Sequence, residues 1–151
     1  MDIQGFRIEL EKFMDNESPN FISYPVDLID SNDRFSNALL FLAASITPPI
    51  NTSVLPLAKS AYMGTMSGLV FPTAPVTFST AMTAFATSLI PGFLPLFTAT
   101  PPPLPISVLP VVSVGASLNN SQILDIFVPI VVSWFSTGIA INSQGVTINW
   151  S

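Results

Sequence analysis

The chain has 151 residues, enough for one domain with a hydrophobic core and too few for two independent domains. It contains no cysteine and no histidine, which excludes disulfides, cysteine-ligated metals and the usual histidine-dependent hydrolase triads. Only 9% of the residues are charged, and the formal net charge of −5 argues against a surface that binds nucleic acid.

The few charges are concentrated near the N-terminus. Residues 1–34 hold every charged side chain except Lys59 and Asp125, and 65 consecutive residues from Ser60 to Leu124 carry none. The chain therefore divides into an acidic N-terminal segment, residues 1–34, and a nearly uncharged body, residues 35–151. A soluble monomer usually covers about a quarter to a third of its surface with charged residues. We therefore expect the body to face other protein subunits or lipid.

Prolines divide the first two thirds of the chain into short apolar segments with helical spacing of their large residues. Four helices are predicted here. In chain order they cover Ile3–Met14, an N-cap of Asp30 or Ser31 to about Ile46, Ser53 to about Val70, and Pro75 towards Leu89. Residues 16–25 form a loop between the first two.

The last third is predicted to be extended, then helical, then extended again. Seven of the 20 residues from Pro91 to Pro110 are proline, which is typical of an extended connector. A helix capped by Ser121 is expected to continue to about Ile141, with a kink at Pro129. The alternating tail from Gly145 to Ser151 predicts a half-buried strand, or an arm that joins another chain's sheet. The predicted fold class is mainly α, with proline-bounded apolar helices, a proline-rich connector and a short C-terminal strand.

An internal similarity suggests a duplicated helical unit. Ser-Val-Leu-Pro occurs at residues 53–56 and again at 107–110, and the alignment of 40–76 with 94–130 contains ten identities. Chance matches are frequent in a chain this rich in proline, serine and leucine, so duplication and coincidence both stay open.

Three groups of residues are candidates for contacts with other subunits. Small residues at a spacing of four on the third helix let another helix approach closely. Large residues on the fourth helix form a stripe whose alternative interpretation is an ordinary core seam. With the two tryptophans, the candidate interface residues are Ser60, Gly64, Gly68, Phe78, Met82, Phe85, Trp134 and Trp150.

No catalytic, cofactor or metal site is predicted. The available carboxylates are Glu9 with Glu11, and Asp27, Asp30 and Asp33. Asp27 and Asp30 could share one helical face, but they lie at a helix start, where the helix dipole alone favours acids. Nucleotide-binding glycine loops and the nucleophile-elbow motif are absent from the sequence. We interpret Asp125, an acid inside an apolar helix, as structural, because it lies near the start of that helix.

Membrane insertion is the alternative to assembly with protein subunits. The windows 35–50, 53–71 and 123–141 are apolar, and helices in them would pack through Gly64 and Gly68. Internal prolines interrupt the longer apolar stretches, and no cluster of Lys or Arg flanks them to orient a span. The N-terminal residues lack the basic and apolar regions of a signal peptide, so we expect the chain to be made in the cytoplasm and not to be exported by the Sec route.

The uncharged body 36–151, the sequence TPPPLPISVLP at 100–110 and the end GVTINWS at 145–151 resemble the small structural proteins of tailed bacteriophage particles. The resemblance implies a non-enzymatic subunit of the virion, at the tail, baseplate, neck or capsid surface. Its partners would be other structural subunits, in homo-oligomers and hetero-assemblies. It carries no functional residue across to this chain.

Overall fold

The computed structural model describes residues 1–68, 74–108 and 118–151. These residues form a mainly helical fold with one small sheet, as predicted. The helices are α1 Ile3–Met14, α2 Leu28–Ala44, α3 Leu55–Met66, α4 Ala74–Leu89 and α5 Asn120–Phe135, with 3-10 turns at Thr52–Val54 and Ile90–Phe93. The strands are β1 Phe97–Thr100, β2 Ile139–Asn142 and β3 Thr147–Asn149.

The first helix has the predicted limits, but the second begins earlier than predicted. Asp27 is the N-cap of α2, and its carboxylate accepts a hydrogen bond from the Asp30 backbone N–H at 2.8 Å. The prediction of Asp30 or Ser31 as the cap is therefore wrong. Asp30 lies in the first turn, where its carboxylate accepts from the Val26 N–H and from Arg34.

The third and fourth helices begin close to the predicted residues. Asn51 caps the 3-10 turn that leads into α3, and Pro56 lies in the first turn of α3, where a missing N–H costs no hydrogen bond. α4 begins at Ala74, next to the predicted Pro75. α3 ends at Met66 with Ser67 as its C-cap, earlier than the predicted end near Val70, and Gly68 lies in the turn that follows.

The fifth helix ends six residues before the predicted Ile141. Asn119 and Gln122 form a reciprocal capping box at its start, so the N-cap is Asn119 rather than Ser121. At its end, the Ser136 hydroxyl donates to the Val132 carbonyl, and the chain then enters β2. The prediction failed because a short apolar run such as Ile139–Ile141 has the same hydrophobic signature in a helix and in a strand.

The three strands form one antiparallel sheet in the order β1–β2–β3. Thr100 lies opposite Ile139, and Ile139 lies opposite Asn149 on its other side. Gly145, with a φ of 78°, completes the turn that joins β2 to β3. The connector was predicted without a strand, and β1 corrects that prediction. The C-terminal strand is confirmed, and it pairs with the chain's own β2 rather than with another chain's sheet.

A single core unites the N-terminal segment with the body. Phe6 and Leu10 of α1 are fully buried in the same cluster as the residues of α2 to α5. The Phe35 ring contacts Tyr62 and Phe127, with centroids 5.6 and 5.8 Å apart. The acidic segment is thus packed onto the body rather than attached as a separate tail.

The suggested duplication can be compared only in part, because residues 109–117, the counterparts of most of α3, lie outside the described residues. Residues 40–44 end α2, whereas their counterparts 94–98 are a turn and the start of β1. Residues 74–76 and their counterparts 128–130 are both helical. The duplication therefore stays a prediction.

Candidate interaction surface

Every cationic side chain of the protein is paired with a carboxylate. All four Lys and Arg side chains lie within 4.0 Å of a carboxylate. The ion pairs are Arg7–Glu11, Arg7–Asp125, Lys12–Glu9, Arg34–Asp30 and Lys59–Asp33. The two charges outside the first 34 residues, Lys59 and Asp125, therefore both pair back to the N-terminal segment.

Arg7 belongs to two of these ion pairs and links α1 to α5. Its guanidinium donates to Asp125 and, at 2.9 Å, to Glu11, and the Asp125 hydrogen bond is the main cause of a raised Arg7 pKa. Burial raises the pKa of Glu11, but hydrogen bonds from Asn20, Ser18 and Arg7 outweigh it and leave the pKa below its ordinary value. Asp125 thus has a structural partner, in line with its predicted role.

The opposite character appears on α4, the connector and β1. Several large apolar side chains of this part are mostly exposed, among them Val76 (69%), Leu94 (58%), Leu96 (71%) and Leu104 (73%). Isolated exposed leucines are normal on a protein surface, but here no charged residue separates them along the chain. We call these four residues, with the outer side of α4, the uncharged surface.

Two adjoining grooves cross the uncharged surface between α4 and the connector. One has a volume of about 630 Å³ and runs between Val76 and Leu104. The other, of about 500 Å³, runs along the hydroxyl-bearing residues of α4 towards Ala61 of α3. Ser79, Thr80 and Pro105 line both grooves. The described residues that line them include none with a charge.

Three hydroxyls along these grooves are bonded to their own helix, whereas the buried Ser79 hydroxyl has no hydrogen-bond partner within the described residues. Thr80, Thr83 and Ser88 donate to the backbone carbonyls four residues earlier, at 2.9, 3.0 and 2.9 Å. These groups need no water as a hydrogen-bond acceptor, so covering them with another chain leaves no donor unsatisfied. The surface is suited to burial although serine and threonine are polar residues.

The small residues of α3 and of the turn after it are open to the outside. Ser60, Gly64 and Gly68 are exposed, and a Cβ built at Gly64 would meet no atom within 4 Å. Among the described residues, therefore, no element of the chain packs against Gly64. These predicted interface residues are free for a contact with a second chain.

The other predicted interface residues contribute to the chain's own core. Met82 and Phe85 are fully buried and Phe78 partly, which favours the core-seam interpretation of the stripe on α4. Trp150 is fully buried and stacks on Phe93 with centroids 5.1 Å apart. Trp134 is buried, and its Nε1–H donates to the Leu104 carbonyl at 2.6 Å, which holds the connector against α5. In this conformation these tryptophans are not available to a partner.

Sequence reasoning missed the exposed leucines of the connector. The signal was present, because Leu94, Leu96 and Leu104 each lie next to prolines that prevent an amphipathic helix from turning them inward. The prolines predicted a stiff spacer, and the exposure of the leucines between them was not predicted.

The described residues contain no group of three potential metal-ligating side chains. Within the same residues, one helical stretch is long and apolar enough to cross a membrane. It is Ala74–Phe93, with 20 residues and a mean hydropathy of 1.2, and 44% of its best window is buried inside the protein. No protein-family model, curated protein or solved structure matches the chain.

Proposed function

We propose that this chain is a non-enzymatic structural subunit of a large protein assembly, namely a component of a tailed-phage virion such as the tail, baseplate, neck or capsid surface. It is made in the host cytoplasm and becomes part of the virion. Its partners are copies of itself and other structural subunits rather than nucleic acid.

The observation that carries the proposal is the segregation of charge on the folded chain. Ion pairs bind α1 to α5 and α2 to α3. The connector, by contrast, exposes leucines, and α4 exposes Val76 and internally bonded hydroxyls. Burial of the exposed part of a side chain such as Leu104 stabilises an interface by about 1–2 kcal/mol. A surface with several such residues, and with little desolvation cost from its hydroxyls, is favourable for permanent contact with another protein.

The test is a density gradient of native source material, run with and without mild detergent, in which this chain is followed by mass spectrometry. The proposal predicts that the chain sediments with protein particles in a fixed ratio to other subunits and that detergent leaves its position unchanged. Sedimentation as a free monomer would contradict the proposal.

The second candidate is a small integral membrane protein with proline-kinked helices that pack through Gly64 and Gly68. One observation favours it, the length and hydropathy of Ala74–Phe93. In the same gradient this candidate predicts flotation with lipid and a shift into micelles when detergent is added. Protease would then cut only the charged N-terminal region.

A further inference from the structure

The sheet has two outer edges, one along β1 and one along β3. In an antiparallel pair, alternate residues direct their backbone N–H and C=O groups to the neighbouring strand, and the residues between them direct theirs away. The Trp150 N–H donates to the Gly138 carbonyl at 2.9 Å, so Trp150 faces the β2 side, and Ile148, two residues earlier, does the same. The backbone groups of Thr147 and Asn149 therefore point outward from the sheet.

The outer edge of β3 is open at these two residues. Both side chains are exposed, and within the described part of the chain no group outside the sheet bonds to the backbone of Thr147 or Asn149. The next outward residue, Ser151, shows that this edge accepts another strand. Its N–H donates to the Thr47 carbonyl at 3.0 Å, and its carbonyl accepts from the Thr47 N–H at 2.6 Å. Two prolines follow Thr47 and lack the N–H groups needed to continue the pairing along β3.

The outer edge of β1 is less suited to a partner strand. Pro95 and Pro101 flank this strand, and Ala99 within it is buried. Prolines at a sheet edge remove hydrogen-bond donors and protect the edge against pairing with another chain. By contrast, residues 142–151, which contain β3, include neither a proline nor a charged residue.

Charge and symmetry favour a second copy of the chain as the partner of β3. Each copy has a formal net charge of −5, so two copies repel each other unless they meet through uncharged segments. The β3 edge is also complementary to itself. A two-fold axis beside Ile148 places Thr147 of one copy opposite Asn149 of the other, and each such pair exchanges two backbone hydrogen bonds.

We propose that two copies of the chain join through the outer edges of β3, antiparallel and with Thr147 opposite Asn149, to form one continuous six-stranded sheet. β3 stays paired with its own β2 in this arrangement. The inference rests on the proposed function, because it specifies one contact between copies within the assembly. The contact is smaller than a standard interface of roughly 1,600 Å², so the isolated dimer is weak and other contacts of the assembly reinforce it.

The first measurement is the exchange of backbone amides with water, followed by NMR on the purified full chain between about 0.02 and 1 mM protein. In a single chain the Thr147 and Asn149 amides have no acceptor, so they exchange rapidly. We expect their exchange to slow as the protein concentration rises. The exchange of the Phe97 amide, on the outer edge of β1, should not depend on concentration.

The second measurement tests the register with pairs of charges. Thr147→Lys with Asn149→Lys places lysines opposite each other at both positions, whereas Thr147→Lys with Asn149→Glu places opposite charges there. In sedimentation equilibrium the Lys–Glu variant should dimerise about five- to thirtyfold more tightly than the Lys–Lys variant. The matched control is Thr98→Lys with Thr100→Lys, at exposed positions of β1 on the same sheet face. Both Lys–Lys variants have a net charge of −3, which lowers the general repulsion, so only the β3 variant should dimerise more weakly than the unmodified chain.

Three results would overturn the proposal, once urea unfolding at low protein concentration has confirmed that each variant is folded. They are exchange of the Thr147 and Asn149 amides that does not depend on concentration, equal dimerisation of the Lys–Lys and Lys–Glu variants, and an equal loss of dimer in the β1 control. The proposed function fails separately. If the chain were absent from particles in the density gradient but dimerised through β3 when purified, this contact would stand and the structural role would be wrong.

Discussion

Replacing Gly64 by alanine is expected to stabilise the isolated chain. Gly64 lies in the last turn of α3, and a Cβ at this position would meet no atom within 4 Å. In a helix interior, alanine is favoured over glycine by about 0.8–1 kcal/mol. Because helix ends fray, we expect about half of this, ~0.5 kcal/mol, in the free energy of unfolding.

Gly138→Ala is a control that we expect to lower the free energy of unfolding. A Cβ there would lie 2.5 Å from Cδ2 of Trp150, whose indole is fully buried. The indole must move or the backbone must shift, and such overpacking typically costs about 1–3 kcal/mol. Urea unfolding of both variants at several protein concentrations measures the two effects and separates folding from association.

A clear loss of stability in Gly64→Ala at low protein concentration would refute this reasoning, since it would mean that a second element packs on Gly64 within the chain. Gly64→Leu then tests the contact itself. The larger side chain also meets open space in the monomer, so it should leave monomer unfolding nearly unchanged. If the small residues of α3 contact a neighbouring subunit, it should weaken association.

Three further predictions concern the exposed Leu104, the capping box of α5 and the Glu11 carboxylate. Leu104→Ser should change monomer stability by less than about 0.5 kcal/mol but weaken assembly about tenfold in sedimentation experiments, whereas Ile29→Ser, equally exposed among the charges, should leave assembly intact. Asn119→Ala removes the capping box of α5 and should cost about 1 kcal/mol in urea unfolding, with Asn149→Ala on β3 as the comparison that should cost less. Because the pKa of Glu11 is lowered in the folded chain, its carboxylate contributes fully to stability above the unfolded pKa near 4.5, and this contribution is lost as the pH falls through the folded pKa. The free energy of unfolding of Glu11→Gln should therefore depend less on pH between 5 and ~2. An unchanged pH profile would contradict the lowered pKa of Glu11.

The helices were predictable where local chemistry alone determines them. Prolines and cap residues fix the starts of α3 and α4 within one or two residues, and the amphipathic pattern fixes α1 completely. At α2, several acids within a few residues can all serve as N-cap. In the structure the Asp30 carboxylate is bonded to Arg34, and Asp27 serves as the N-cap.

The strands were harder because their pairing is non-local. β1 is a four-residue stretch between prolines, and it forms because β2 supplies a partner about 40 residues later in the chain. The run Ile139–Ile141 was assigned to a helix because a short apolar run fits a helix and a strand equally well. Only its pairing with β1 and β3 identifies it as a strand. The ladder of small residues on α3, by contrast, was visible in the sequence, and only the structure shows that it faces outward.

The exposed leucines around β1 leave apolar surface in contact with water when the chain is isolated. They are covered only by a large apolar surface, such as that of another subunit. If copies of this chain provide that cover, the midpoint of urea unfolding should rise with protein concentration, and Leu104→Ser should remove part of that rise. A midpoint independent of protein concentration in both proteins would show that a second copy of the chain does not cover these leucines.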